Sequence, residues 1–235
     1  MQAVILAGGL GTRLRPYTFF LPKPMLPVGH RPILEHIIEW LKANGVEDVV
    51  ISTGYLGRSI EEHFRDGAEF GVRVDYARSN KPLGIAGQLR NAESKLGERF
   101  VCLYGDAILD FDLRGLVRFH LQKRATLTMA LMAHRTQSKY GVIDLKETGE
   151  IAAWREKPVI ENDINVGCYV MEKRYLEYIP PAGSTFGMRE AFEEAMKKGE
   201  PLYGLKVEGT FRDIGDRAAY READEHYSKL YGKVP

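Results

Sequence analysis

AVILAGGLGTRLRPYTFFLPKPMLP (residues 3–27) joins a short apolar run to a long loop that is rich in glycine and proline. The run AVIL is typical of a buried strand. From residue 6 to residue 27 the chain has two arginines and one lysine but no aspartate or glutamate. Glycines directly after a strand let the backbone approach a phosphate group and offer it several N–H donors. The segment therefore predicts an anion site at the end of the first strand.

The chain as a whole is nearly neutral, which limits its partners. It has 235 residues, with 33 Lys and Arg against 32 Asp and Glu, and a formal net charge of +1. We therefore expect no nucleic acid and no membrane as a partner, and an anion site has to come from local clustering. Cys102 and Cys168 form no CxxC pair, and they are expected to be buried thiols of a cytoplasmic protein. No apolar run approaches the ~20 residues that cross a bilayer.

Strand-like and helix-like segments alternate along the first 130 residues. The strand-like runs lie at 3–7, 48–53, 72–77, 99–105 and 125–132, and the helix-like runs at 32–45, 57–65, 86–96 and 113–123. Strands separated by helices of this length predict βαβ units. The expected fold class is α/β, a three-layer αβα domain with a mixed, mainly parallel central sheet.

The second half of the chain changes character. Segments 140–145 and 150–157 flank a turn at 147–149, which suggests an antiparallel excursion from the sheet. Further strands are expected at 164–171, 202–207 and 210–215, and helices at 186–199 and 218–232. We expect a single domain over residues 1–235, with residues of about 133–180 as an elaborating subregion.

Loops that follow strands are the places to look for a site, because ligands of open α/β sheets bind outside the carboxyl ends of the strands. The unusual residues fall in such loops, which are expected at 8–27, 79–87, 105–112, 155–158 and 211–216. In the first of them Lys23 stands between Pro22 and Pro24, and prolines reduce the entropy lost when a lysine is held in place.

Seven short motifs occur in one order: LAGGLGTRLRP with PKPMLPV, PLGIAGQLRNA (82–92), YGD (104–106), YGVI (140–143), EKP (156–158), NVGCYV (165–170) and FRDIG (211–215). The ordered set resembles the signature of the sugar-1-phosphate nucleotidylyltransferases, or NDP-sugar pyrophosphorylases. It covers residues 2 to about 215. The resemblance implies the Rossmann-like fold of nucleotide-diphospho-sugar transferases, in the short form without the left-handed β-helix of many members.

The resemblance also implies a reaction. An NTP and a sugar 1-phosphate give an NDP-sugar and pyrophosphate through Mg²⁺-assisted, in-line attack of the sugar phosphate on the α-phosphorus. A hexose 1-phosphate such as mannose or glucose 1-phosphate is expected, while GTP, dTTP, UTP and CTP all stay open. Because the second pKa of such a phosphate is about 6, the nucleophile is already charged and needs no general base.

The expected catalytic residues are Arg13, Lys23 and Asp106. By the resemblance, Arg13 grips the pyrophosphate leaving group and Lys23 binds phosphate oxygens near the reacting centre. Asp106 and Asp213 would coordinate Mg²⁺, which prefers hard oxygen ligands. A helix cap or a turn is the alternative role for either aspartate.

The nucleotide is expected to contact the first loop and the segment after residue 78, through Leu6, Ala7, Gly8, Gly9, Gly11, Thr12, Arg13, Ser79, Pro82, Gly84, Gly87 and Gln88. Gly84 and Gly87 would let the base lie against the backbone. Ser79 stands where the family commonly has an acidic residue or Gln, and Ile85 where it has Thr. Gln88 and Asn80 are possible substitutes, so the sequence leaves the base open.

The sugar phosphate is expected to contact Lys23, Tyr104, Gly141, Glu156, Lys157, Asn165 and Gly167. Lys157 would neutralise the phosphate and Glu156 would bind sugar hydroxyls. Family members often self-associate, so a homo-oligomer is a further expectation.

Two other functions stay open. The DxD at residues 110–112 suggests an NDP-sugar-dependent glycosyltransferase, although its place before a predicted helix favours a capping role. The altered segment 79–85 suggests a catalytically silent, regulatory relative.

Overall fold

The structure, a computed structural model, describes residues 1–232. The strands in this range are β1 (Gln2–Leu6), β2 (Pro27–Val28), β3 (Arg31–Pro32), β4 (Asp48–Thr53), β5 (Arg73–Arg78), β6 (Arg99–Tyr104), β7 (Ala107–Phe111), β8 (Leu127–Gln137), β9 (Val142–Leu145), β10 (Ile151–Arg155), β11 (Val159–Glu172), β12 (Leu202–Lys206) and β13 (Gly209–Asp213). The α-helices are α1 (Ile33–Ala43), α2 (Gly57–Phe64), α3 (Gly84–Asn91), α4 (Leu113–Lys123), α5 (Met188–Lys197) and α6 (Arg217–Tyr231).

Seven strands form the central sheet, in the order β12-β8-β11-β6-β1-β4-β5. Neighbouring strands pair in parallel except at β11, which runs antiparallel to both β6 and β8. The prediction of a mixed, mainly parallel sheet is therefore confirmed. Because β6, β1 and β4 run in one direction, the loops that follow them meet at one edge.

Alternating side chains of β1 show that helices cover both faces of the sheet. Ala3 and Ile5 pack in one core with α1, α2 and α4, whereas Val4 and Leu6 pack in a second core with α3 and α5. In α1, the periodic apolar residues are buried as the sequence predicts, and the helix ends before Gly45, whose φ is +82°. This arrangement confirms the three-layer αβα class.

α3 and β7 are examples of elements that differ from the sequence-based expectation. The helix predicted at 86–96 begins earlier, at Gly84, and ends at Asn91, before a separate 3-10 turn at Glu93–Lys95. Segment 105–112, expected to be a loop, contains β7, which pairs with β13 outside the central sheet. The partner strand of β7 lies about 100 residues further along the chain, so local pattern could not reveal the pairing.

Residues 133–163 form an arm that continues from the carboxyl end of β8. Its base is the antiparallel pairing of β8 with β11, and its outer part is the β9–β10 hairpin. The hairpin confirms the predicted antiparallel excursion. Since β8 runs parallel to β6, the arm leaves the sheet at the edge where the loops after β6 and β1 lie. No helix among residues 1–232 has the length and apolar character needed to cross a membrane.

Candidate active site

The loop after β1 folds back on itself through a left-handed glycine. Gly11 has a φ of +60°, and a methyl group built on it would lie 2.9 Å from Thr18 Cγ2 and 3.2 Å from Lys23 Cβ. The Thr18 hydroxyl donates a hydrogen bond of 2.9 Å to the Gly11 carbonyl oxygen. The absence of a side chain at Gly11 therefore lets the basic end of the loop pack against its glycine-rich start.

Lys23 is buried, with 7% of its surface exposed, and sits in a 3-10 turn next to two prolines. Its Nζ donates a hydrogen bond of 2.7 Å to Asp106 Oδ2. A buried ammonium group requires such a partner, because desolvation of an unpaired charge is very costly. The Asp106 side chain is 39% exposed, so the ion pair opens onto solvent on its carboxylate side.

Asp213 lies beside this ion pair because β13 pairs with β7. In that pairing Asp213 is opposite Ala107, the residue after Asp106. Desolvation raises the pKa of Asp213 above its usual value; the Asp106 carboxylate adds to this shift, and Lys23 and Arg13 oppose it. A methyl group on Gly215 would lie 2.8 Å from Asp213 Oδ2 and 3.3 Å from Arg13 Nη1. Both charged groups thus converge on Gly215.

The amino-terminal part of α3 forms the opposite wall. Gln88 Oε1 accepts a hydrogen bond of 2.7 Å from the Gly8 N–H, which ties α3 to the glycine loop. Gly84 has a φ of +68°, and a methyl group on it would lie 2.5 Å from the Phe186 carbonyl oxygen. A methyl group on Gly87 would lie 2.5 Å from the Ser184 carbonyl oxygen. Both glycines therefore allow segment 184–186 to pack against α3.

Between these walls lies a cleft of about 440 Å³. The predicted site residues that line it are Leu6, Ala7, Gly8, Gly9, Gly11, Thr12, Arg13, Lys23, Pro82, Gly84, Gln88, Tyr104 and Asp106. Seven further residues line the cleft that are not among the contacts expected from the sequence: Leu10, Leu14, Pro24, Leu83, Ile85, Gly105 and Gly215. Each adjoins or lies within a quoted motif, so the motifs themselves were the signal for them.

Several predicted residues lie outside the lining of the cleft. The Ser79 hydroxyl donates a hydrogen bond of 2.8 Å to the Lys81 carbonyl oxygen and accepts one of 3.3 Å from the Lys81 N–H, so it closes its own turn. Gly87 faces segment 184–186 rather than the cleft. Binding of the nucleotide by Ser79 and Gly87 stays a prediction.

Tyr104 connects the cleft to β11. Its hydroxyl shares a hydrogen bond of 2.7 Å with that of Tyr169, which also accepts one of 2.6 Å from Asn165 Nδ2. Burial raises the pKa of Tyr104 to about 12 and that of Tyr169 still further, so both hydroxyls are neutral at pH 7. A methyl group on Gly167 would lie 2.6 Å from the Tyr104 ring, so this glycine makes room for the tyrosine.

The remaining predicted sugar-phosphate residues lie on the arm. Trp154 Nε1 donates a hydrogen bond of 3.1 Å to Glu156 Oε2, and Gly141 packs against both side chains. Lys157 follows in the left-handed region, with a φ of +42°. The structure thus brings Gly141 together with Glu156, and it places Lys157 at the turn from β10 into β11.

The DxD motif has a structural role. Asp112 is the N-cap of α4, where its Oδ1 accepts a hydrogen bond of 2.9 Å from the Gly115 N–H. Its Oδ2 accepts one of 2.9 Å from Arg118. The predicted capping role is confirmed, and neither aspartate of the motif lines the cleft.

A family model and several known proteins match most of the chain. The family model described as nucleotidyl transferase matches residues 2–229. The chain is 34% identical to a UTP–glucose-1-phosphate uridylyltransferase of Synechocystis, over 95% of this chain and 62% of that protein. It is 33% identical to the D-glycero-alpha-D-manno-heptose 1-phosphate guanylyltransferase of Aneurinibacillus thermoaerophilus, over 97% of this chain and 100% of that protein.

A solved structure shows the same fold. HddC from Yersinia pseudotuberculosis superimposes with a TM-score of 0.76 at 26% identity, over 96% of this chain and 99% of that chain. The chain spans about three fifths of the Synechocystis protein and of a Mycobacterium tuberculosis mannose-1-phosphate guanylyltransferase that it also resembles. With a family model that matches nearly its whole length, the chain belongs to the nucleotidyl transferase family.

Proposed function

We propose that the protein transfers a nucleotidyl group from an NTP to a sugar 1-phosphate and releases pyrophosphate. The observation that carries this proposal is the buried Lys23–Asp106 ion pair in the wall of a cleft that Arg13 and the glycine loop also line. Two polyanions can react only if their charges are neutralised and their atoms are aligned. The lining of the cleft supports the proposal, because it combines two cationic side chains, Lys23 and Arg13, with a glycine loop whose backbone can approach a phosphate.

In the proposed mechanism the chain binds and orients the substrates. Arg13 and the glycine loop hold the triphosphate, and the Arg13 guanidinium fork suits the departing pyrophosphate. Lys23 neutralises charge at the reacting phosphates, and Lys157 and Glu156 bind the phosphate and hydroxyls of the sugar. The sugar phosphate oxygen attacks the α-phosphorus, and the bond from that phosphorus to the pyrophosphate oxygen breaks. No residue has to take a proton from the nucleophile.

Asp106 and Asp213 fit the binding of Mg²⁺. Among residues 1–232, no group of three or more His, Cys, Asp or Glu is arranged to hold a metal ion. Mg²⁺ commonly takes one or two carboxylates and fills its other positions with water and substrate phosphates. Asp106 lines the cleft, and Asp213 lies opposite the next residue, Ala107, in the β7–β13 pairing, so the two carboxylates offer the kind of oxygen ligand that Mg²⁺ takes. When bound there, Mg²⁺ would neutralise charge on the reacting phosphates.

A matrix assay tests the proposal. GTP, dTTP, UTP and CTP are each combined with mannose, glucose and other sugar 1-phosphates, with and without Mg²⁺, and pyrophosphate release is measured. We expect release with at least one pair, dependent on Mg²⁺, with a hexose 1-phosphate such as mannose or glucose 1-phosphate as the sugar. Nucleotide binding without turnover in any pair would favour the silent, regulatory alternative. Activity restricted to an NDP-sugar donor with an acceptor would instead favour a glycosyltransferase.

Location and assembly are separate proposals. We infer a cytoplasmic location, because Cys102 and Cys168 are buried free thiols and disulfides are rare in the cytosol. We also infer self-association from the family resemblance. Size-exclusion chromatography with light scattering tests it, and a strictly monomeric protein at all concentrations would refute it.

A further inference from the structure

The arm exposes a tryptophan next to a carboxylate. Trp154 is 68% exposed, whereas Trp40, the other tryptophan of the chain, is buried. Exposed tryptophans are uncommon in folded proteins because the indole has a large apolar surface. Trp154 makes no aromatic stacking contact within residues 1–232. Its ring faces are therefore open to a ligand.

The indole and the carboxylate form one unit. Trp154 Nε1 donates to Glu156 Oε2, which leaves Oε1 of the same carboxylate free to accept other hydrogen bonds. A methyl group on Gly141 would lie 3.1 Å from Trp154 Nε1 and 3.2 Å from Glu156 Oε2. A larger residue at position 141 would thus push the indole away from the carboxylate.

The position of this unit suits a substrate of the cleft. The arm leaves the sheet at the carboxyl end of β8, the edge where the loops after β1 and β6 line the cleft. Directly after Glu156, Lys157 takes a left-handed backbone conformation, which side chains other than glycine rarely adopt. Such strain is concentrated at ligand sites, where it fixes the direction of a side chain.

A pyranose ring matches this chemistry, since it presents an apolar face of C–H groups and an edge of hydroxyls. We propose that Trp154 determines which sugar 1-phosphate is used: its indole face packs on the C–H face of the sugar, and its N–H orients the Glu156 carboxylate toward the sugar hydroxyls. This inference rests on the proposed function, because it takes a sugar 1-phosphate as the occupant. Trp154 is a specificity residue that contacts the sugar, and it takes no part in the phosphoryl chemistry.

Substrate kinetics with two Trp154 variants test the inference. Trp154→Ala removes the ring and the N–H, and Trp154→Phe keeps an aromatic face without the donor. We expect Trp154→Ala to raise KM for the sugar 1-phosphate about tenfold or more, with KM for the NTP unchanged and kcat within about threefold. Trp154→Phe should raise KM less and should relax the preference between sugars that differ at one hydroxyl. Ile151→Ala, on the same strand and 67% exposed, is the matched control and should behave as wild type.

Fluorescence gives a readout that needs no turnover. Titration of the wild-type protein with mannose or glucose 1-phosphate should change the tryptophan emission in a saturable way, and the change should be absent in Trp154→Phe, which keeps Trp40. If the wild type is active and Trp154→Ala has wild-type KM values for every sugar, the inference is wrong while the proposed function stands. If no pair releases pyrophosphate, the proposed function is wrong, and the titration alone decides whether Trp154 binds a sugar phosphate. A flat titration then refutes both.

Discussion

Replacement of Gly84 by alanine tests how segment 184–186 holds α3, which forms one wall of the cleft. The new methyl group would meet the Phe186 carbonyl oxygen at 2.5 Å, which is closer than any tolerated contact, so the carbonyl must move. That carbonyl accepts hydrogen bonds of 3.1 Å from the Ala86 N–H and 3.3 Å from the Gly87 N–H. The substitution therefore strains the backbone and weakens two hydrogen bonds at once.

The cost can be divided into two parts. A left-handed conformation costs a residue other than glycine about 1–2 kcal/mol. Each weakened hydrogen bond costs about 0.5–1.5 kcal/mol, or about 1–3 kcal/mol for the two. Gly84→Ala should therefore lower the free energy of unfolding by about 2–5 kcal/mol. It should also raise KM for the NTP, because Gly84 lines the cleft.

Gly149→Ala is the matched control. Gly149 also has a positive φ, +86°, but a methyl group there would meet nothing within 4 Å. The free energy of unfolding of Gly149→Ala should fall only by the cost of the left-handed backbone conformation, about 1–2 kcal/mol. Urea unfolding, followed by circular dichroism, measures both variants under one set of conditions. A Gly84→Ala variant as stable as Gly149→Ala, to within about 0.5 kcal/mol, would show that the contact with Phe186 contributes nothing to stability.

Three further predictions concern charge. Lys23→Ala should lower kcat by ~10²-fold or more, the usual scale for loss of one electrostatic stabiliser, and activity within a few-fold of wild type would contradict the role of Lys23. Arg13→Lys should also slow pyrophosphate release, because a lysine cannot reproduce the guanidinium fork; an unchanged rate would show that only its charge matters. Burial lowers the pKa of His120, so the folded state binds fewer protons than the unfolded state, and stability should be lost as pH falls below about 6.5. Thermal unfolding between pH 8 and pH 5 measures this loss of stability. The loss should be smaller in His120→Gln and should persist in a variant of the exposed His134. Equal losses in the two variants would exclude His120 as the cause.

Local patterns in the sequence predicted those parts of the fold that depend on near neighbours. The apolar run of β1, the helical face of α1 and the β9–β10 hairpin all follow from residues within a few positions of each other. The pairing of β7 with β13 does not, because the two strands are about 100 residues apart. For the same reason, neighbouring residues do not show why position 84 is a glycine. The carbonyl group that a side chain at this position would contact belongs to Phe186, about 100 residues away.

The candidate site, like the fold, was predictable from the sequence only in part. Glycine, proline and basic residues near the first strand indicated an anion site from composition alone, but the partner of Lys23 is 83 residues away, at Asp106. The loop from residue 6 to 27 has no acidic residue of its own, so the carboxylate that pairs with Lys23 comes from a distant part of the chain. A carboxylate within the loop would form an ion pair with a basic residue of the same loop. That pair would form whatever position the loop took in the folded protein. Because Asp106 lies between β6 and β7 and Asp213 lies on β13, the cations and the acids meet only when the central sheet and the separate β7–β13 pair have both formed. Formation of these long-range strand pairings thus assembles the charged site.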